Sequence, residues 1–375
     1  MSSVYIHIPY CHHKCIYCDF HFSVQKRSLN TTLNAIIKEI DDRREYLDFK
    51  KLESIYFGGG TPSILSIKQL ETIFKQLSSI YNWDKTAEIT IECNPEDLNK
   101  EYVQGLKELG FNRISLGIQS LNDAVLQWMG RHHTVEQSLK SIELLQKIMK
   151  IDNFSIDLIF GLPFYDSEYL LRDLKYLVSK FHPRHISAYQ LTIEPKTKLH
   201  HLVQKKNLIP ASDEKIAKEF LLIQEYLTKN EYIHYEVSNY AQEGFYSKHN
   251  SAYWLQKKYI GIGPSAHSYN GKERRWNIAN NYIYAKNVLS GKTYSDKEDL
   301  STKQLYNEYI YTRLRTIYGC DLKEIEHFFG KKLKEDFLRN YENYKEYFIV
   351  KNQNYCLIPD KGYLIADKIA VDFFV

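Results

Sequence analysis

Along the first two-thirds of the chain, short β-branched runs alternate with longer stretches whose apolar residues recur every three or four positions. Residues 4–8, 53–57, 88–93, 113–118, 154–160, 185–191 and 232–237 read as strands. Residues 31–47, 66–80, 99–109, 134–149, 167–179 and 213–228 read as helices; in 134–149, Val135, Leu139, Ile142, Leu145 and Ile148 share one face. Strands separated by helices of this length build βαβ units and a parallel sheet. The class is therefore α/β, and about seven such units in the first 240 residues predict a partial or full (β/α) barrel. In that architecture chemistry gathers at the C-terminal ends of the strands. The unusual residues stand at those ends: the first cysteines, the turn 58–61, Glu92, Gln119, Asp157 and Gln190.

Beyond Asn281 the pattern changes. Residues 301–317, 321–329 and 332–347 read as helices. Residues 355–358 and 363–365, joined by Pro359-Asp360-Lys361-Gly362, read as a hairpin. Three helices and a hairpin predict a small winged-helix-like domain. Its basic residues are matched by acidic ones, so it reads as a packing or docking unit and not as a DNA binder.

Composition narrows the function classes. Of 375 residues, 43% are hydrophobic and 26% charged, enough apolar surface to bury a core and too much for a disordered chain. Lys and Arg number 50 against 46 Asp and Glu, with the signs interspersed, so nucleic acid is not an expected partner. Residues 1–9 lack the basic start and apolar run of a secretion signal. No run of about 18 apolar residues predicts an integral membrane segment. Three of the six cysteines cluster near the start, while Cys93, Cys320 and Cys356 are scattered. That is no disulfide framework, and a reducing, cytoplasmic setting is expected.

Cys11, Cys15 and Cys18 follow the first strand with three and two residues between them. Close spacing on one loop lets several thiolates reach one iron–sulfur cluster. Three ligands for four irons would leave one iron open. The plain alternatives are chance, or a zinc site completed by His12, His13 or His21. The turn Gly58-Gly59-Gly60-Thr61-Pro62 follows the second strand and allows close backbone approach to a ligand. It is no P-loop, lacking Gly-Lys-Ser/Thr. Glu92 suits ribose hydroxyls or a helix cap. Gln119, Arg131 and Asp157 stand at similar places, each equally able to be structural.

Taken together, Cys-x3-Cys-x2-Cys, the GGGTP turn and the strand-end Glu resemble the radical S-adenosylmethionine (SAM) superfamily. Tyr5-Ile6-His7-Ile8-Pro9-Tyr10-Cys11, Cys18-Asp19-Phe20, Ile91-Glu92-Cys93-Asn94-Pro95, Ser115-Leu116-Gly117-Ile118-Gln119-Ser120, Met129-Gly130-Arg131 and Ile156-Asp157-Leu158-Ile159 are similar to its HemN/HemW group. The resemblance runs from about Tyr5 to Trp276. It implies a [4Fe–4S] cluster on Cys11, Cys15 and Cys18, whose open iron takes SAM. Such a cluster supplies an electron that cleaves SAM to methionine and a 5′-deoxyadenosyl radical. Tyr5, Gly59 and Glu92 would contact SAM; Gly60, Thr61, Gln119, Arg131 and Asp157 would line SAM or a second ligand; Tyr17 would lie against the adenine.

The group holds oxygen-independent coproporphyrinogen III oxidases and HemW-type haem chaperones. The oxidase pattern has a fourth cysteine two residues after the third, where this chain has Phe20, and an extension before the Tyr-Ile-His-Ile-Pro stretch, where this chain has only residues 1–4. His249-Asn250-Ser251-Ala252-Tyr253-Trp254 matches the His-Asn-x-x-Tyr-Trp signature of the chaperones. An imidazole can ligate haem iron, and Tyr and Trp offer flat apolar surface to a macrocycle. The resemblance therefore implies a haem chaperone without coproporphyrinogen oxidase activity, with haem at His249, Tyr253 and Trp254, and His249 as iron ligand. His267, on a glycine-rich turn, is a second candidate. The implied partners are an electron donor and a haem-accepting protein, a respiratory one among the candidates. The oxidase, which decarboxylates propionate side chains by a radical route, is the alternative. Expected domain limits are 1–240 for the barrel, 241–290 for the segment bearing the haem motif and 291–375 for the C-terminal domain.

Overall fold

The structure is a computed structural model that describes residues 2–48, 50–149 and 153–375. Its centre is a run of six parallel strands: β1 (Ser2–Ile8), β2 (Ser54–Gly59), β3 (Glu88–Cys93), β4 (Arg113–Gln119), β5 (Phe154–Phe160) and β6 (His185–Gln190). They pair in chain order. The expected boundaries of these strands hold to within a residue or two. A helix stands in each expected place, though the one expected over 31–47 is Leu29–Asp42 and the one over 134–149 is α-helical to Leu144 and continues as a π-helical turn to Met149. Ser66 and Thr134 begin two of these helices in capping boxes with Gln69 and Gln137, satisfying amides that a helix start leaves free.

Two expectations need correction. First, residues 232–237 do form a strand, β7 (Ile233–Glu236), but it does not follow β6 in the sheet. A short strand, β8 (Asn239–Ala241), turns back between them, antiparallel to both. The seventh parallel strand comes instead from β9 (Lys258–Ile262), beside β1. Beyond it lie β10 (His267–Tyr269), β11 (Glu273–Asn277) and β12 (Ser295–Asp299), all antiparallel. The twelve strands run β12-β11-β10-β9-β1-β2-β3-β4-β5-β6-β8-β7, with β12 and β7 at opposite edges. The barrel is partial. Residues 241–290, expected as a connection, supply three strands to this same sheet.

Second, the C-terminal hairpin is displaced. Its strands are β14 (Phe348–Lys351) and β15 (Asn354–Leu357), joined by β13 (Cys320–Asp321). The turn is Asn352-Gln353, both with positive φ (50° and 67°), a two-residue connection of the kind hairpins favour. Pro359 does not turn a hairpin; it opens a helical turn, Pro359–Gly362, where its missing N–H costs nothing. A last helix, Ala366–Asp372, follows. The three expected helices stand at Thr302–Leu314, Leu322–Phe329 and Lys331–Glu342, the first and third ending three and five residues short of 317 and 347. Among the described residues, no helix is long and apolar enough to cross a membrane.

The strands explain where the site lies. On each, alternate residues point to opposite faces. Ile55 and Phe57, Ile89 and Ile91, Ile114 and Leu116, and Phe154 and Ile156 are buried in the apolar core. Their neighbours are Tyr56, Glu92, Ser115, Gly117, Ser155, Asp157, Ser187 and Tyr189, and these line a cavity. A barrel with a polar inner face encloses a ligand chamber, not a packed core of branched residues.

Candidate functional site

The chamber at the barrel mouth holds about 760 Å³. Cys11, Cys15, Cys18, Tyr17, Gly59, Gly60, Thr61, Glu92, Gln119, Arg131 and Asp157 all line it. Residues distant in sequence thus meet: most lie at or just beyond the mouth end of a barrel strand, whereas Asp157 stands midway along β5, not at its end as expected, and Arg131 comes in from beyond the helix Asp123–Met129.

The cysteine loop is held from several sides. Cys11 N donates to Ser23 O (3.1 Å), Ile16 N to Met129 O (3.0 Å), and Leu199 N to Ile16 O (2.9 Å). Thr61 donates its hydroxyl to Cys11 Sγ at 3.3 Å. The Arg131 guanidinium stands 3.9 Å from Cys15 Sγ and is fixed by Asn94 Oδ1 (2.8 Å) and Gly117 O (2.9 Å). A hydroxyl and a cation aimed at sulfur suit thiolate ligands. Burial pushes the free thiols of Cys11 and Cys18 up to about 11 and about 12. Of the nearby histidines, His12 is hydrogen-bonded to Asp97 (2.8 Å) and Lys26 (3.0 Å), His21 through Nε2 to Asn281 (2.7 Å), and His13 is stacked on His132. Three thiols without a committed fourth ligand fit a cluster better than zinc.

Gly59 and Gly60 are glycine for reasons of space. Gly59 has φ 114°, and a Cβ there would stand 2.6 Å from the His7 ring. At Gly60 it would meet Tyr10 O at 2.7 Å. The Gly59 amide donates to Glu92 Oε2 (3.1 Å), and the Tyr56 hydroxyl to Oε1 (2.8 Å). Burial raises the Glu92 carboxyl to about 7, with Asp157 adding to the effect and these two donors opposing it. Asp157 accepts from Ser115 (3.0 Å) and Ser155 (3.2 Å), and burial raises its carboxyl too. Gln119 follows a bulge in the β4–β5 pairing and has φ 67°, a costly conformation for a non-glycine residue. Tyr56, Ser115, Ser155 and Ser187 escaped sequence reading. Their signal is polar residues at alternate positions of otherwise apolar strands.

Tyr5 is not on this chamber. It lines a second cavity of about 840 Å³, with Tyr253, Trp254, Tyr259, His267 and Tyr311 among the wall residues. Phe20, 69% exposed, lines both chambers. Tyr253 and Trp254 thus stand on a cavity wall, and His249 stands behind it, 1% exposed. Ser54 donates to Ser3 (2.9 Å), which leaves it to accept from His249 Nδ1 (2.8 Å); Nε2 then accepts the Tyr253 hydroxyl (2.9 Å). Burial lowers this imidazole to about 3. In this conformation neither ring nitrogen is free for iron. The helix bearing it, Lys248–Trp254, starts on the Glu88 carboxylate, which accepts from Lys248 N and His249 N, each at 3.0 Å.

Residues 5–177 match the family described as Radical SAM superfamily. "Heme chaperone HemW" of Bacillus subtilis (strain 168) is 31% identical over 373 residues, 98% of each chain. That of Lactococcus lactis subsp. lactis (strain IL1403) is 33% identical over 100% of this chain and 97% of the relative. Among solved structures, coproporphyrinogen III oxidase (HemN) from Escherichia coli superposes with a TM-score of 0.82 over 100% of this chain and 90% of that one. At 22% identity this last likeness shows the fold alone. The near-full-length relatives and the superfamily match across the cysteine-bearing half place this chain in the HemW heme chaperone family of the radical SAM superfamily.

Proposed function

We propose that this chain is a haem chaperone that holds a [4Fe–4S] cluster and SAM at the barrel mouth, takes up haem, and passes it to an acceptor protein. Cys11, Cys15 and Cys18 hold the cluster. Glu92 receives ribose hydroxyls, Tyr17 faces the adenine, and Gly60, Thr61, Gln119, Arg131 and Asp157 complete the pocket, with Gly59 setting the close approach. When bound, the cluster supplies one electron at a time. The protein's own part is to position SAM and to limit water. Tyr5 supports the pocket from behind, since a Cβ on Gly58 would touch both its ring and Glu92.

Haem lies against Tyr253 and Trp254, with His249 behind them; ligation by His249 would require the Tyr253 hydroxyl to leave Nε2. The observation that carries this reading is the pair of chambers. One bears three thiols and the carboxyls of Glu92 and Asp157, the other is aromatic and bears the Tyr-Trp end of the motif. Anaerobic reconstitution with iron and sulfide, followed by haem titration, tests it. A cluster absorbance and a one-to-one Soret complex are expected, with no protoporphyrinogen formed from coproporphyrinogen III. Protoporphyrinogen production would identify the oxidase instead. Absence of any haem complex would overturn the chaperone reading.

A further inference from the structure

Three imidazoles line the aromatic cavity, and they differ in what their nitrogens are free to do. His7 has both engaged, Nδ1 with the Tyr5 hydroxyl (3.0 Å) and Nε2 with His21 O (3.1 Å). His21 Nε2 is bonded to Asn281 Oδ1 at 2.7 Å. His267 makes no side-chain hydrogen bond among the described residues, is exposed on β10, and lies against Trp276 with ring centroids 6.4 Å apart. From these differences we infer that the aromatic cavity is the haem chamber and that His267 supplies the imidazole to the haem iron. The inference rests on the reading of this chain as a haem chaperone.

The position of His267 is set by backbone. A Cβ on Gly261 would stand 2.0 Å from the His267 carbonyl, so β9 and β10 approach as only glycine allows. The turn between them uses positive φ at Gly263 (105°) and Ser265 (64°). Such a backbone fixes where His267 stands on the cavity wall. Tyr253, Trp254, Tyr259 and Tyr311 line the same cavity and supply flat apolar surface. A volume of about 840 Å³ falls in the range of cofactor-sized sites. His249 then acts as a positioning residue: its Nε2 accepts from Tyr253 and holds that ring at the wall.

The test is haem titration of the reconstituted protein, comparing wild type with His267→Ala, His267→Met and, for adventitious imidazole binding, His327→Ala. For His267→Ala we expect haem affinity to fall by at least about tenfold, with a changed Soret maximum and spin state. His267→Met should keep a complex with a shifted spectrum, and its cluster absorbance reports folding. His327→Ala should match wild type. If wild type binds haem while both His267 variants bind with unchanged affinity and spectrum, this inference is overturned and the chaperone reading stands. If wild type binds no haem, the chaperone reading itself fails.

Discussion

The His249 imidazole stacks on Tyr56 with ring centroids 4.7 Å apart, and Tyr56 donates its hydroxyl to Glu92 at 2.8 Å. On its other side His249 accepts from Tyr253 at 2.9 Å. A continuous line of side chains, with the buried His249 at its middle, therefore joins the wall of the aromatic cavity to a carboxylate at the barrel mouth. Removing the middle of that line should disturb both ends by different routes. For His249→Ala, loss of the partner frees Tyr253, so haem affinity should fall while the ligand-dependent spectrum stays as in wild type. A changed axial-ligand signature in this variant would contradict the positioning role.

Tyr56→Phe tests the other end. The Tyr56 hydroxyl stabilises ionised Glu92, so its removal should raise the Glu92 proton affinity further. SAM binding to the variant should then weaken most below neutral pH and recover in part at higher pH. An unchanged pH profile, followed by equilibrium SAM titration, would show that Glu92 does not meet the ligand.

Glu92 also marks the stability of the metal-free protein. Its carboxyl is raised from 4.5 to about 7 by burial, so folding favours its protonated form. That contribution is present below pH 4.5 and is lost as pH rises through 7. Relative to Glu92→Gln, wild type should lose on the order of 3 kcal/mol between those limits. Urea unfolding of both proteins at several pH values measures it; parallel curves would contradict the burial argument.

Gly59 and Gly60 should tolerate no side chain. The His7 ring that a Cβ at 59 would strike is tethered at both nitrogens and cannot step aside. With a positive φ in addition, Gly59→Ala should cost at least about 2 kcal/mol in denaturant unfolding. Gly110→Ala is the comparison: φ is 90° there, but nothing lies within 4 Å, so only the backbone cost remains.

The barrel was legible where one segment carried its own signal. Strands β1 to β6 are apolar on their core-facing side, and β2, β3, β4 and β6 end at Gly59, Cys93, Gln119 and Gln190, so their existence and most of their mouth ends could be read. β8 and β10 are three residues each, too short for alternation to show, and they exist because the sheet continues past its parallel core. The hairpin was misplaced because Asn352-Gln353 lacks the glycine that signals such a turn, whereas Pro359-Asp360-Lys361-Gly362 displays turn residues and forms a helical one. Motif spacing found the thiols, the glycine turn and Glu92. It could not find that His249 faces inward, because the Ser54 and Tyr253 partners that occupy its nitrogens meet it only through folding.

The central claim is that cluster and haem occupy separate chambers. It is tested most directly by titrating haem into a variant with Cys11, Cys15 and Cys18 all changed to Ala. The account predicts no cluster absorbance and a haem complex of wild-type stoichiometry, since among the described residues the aromatic cavity shares with the thiol chamber only Phe20. Loss of haem binding together with the cluster, in a variant whose circular dichroism matches wild type, would contradict it.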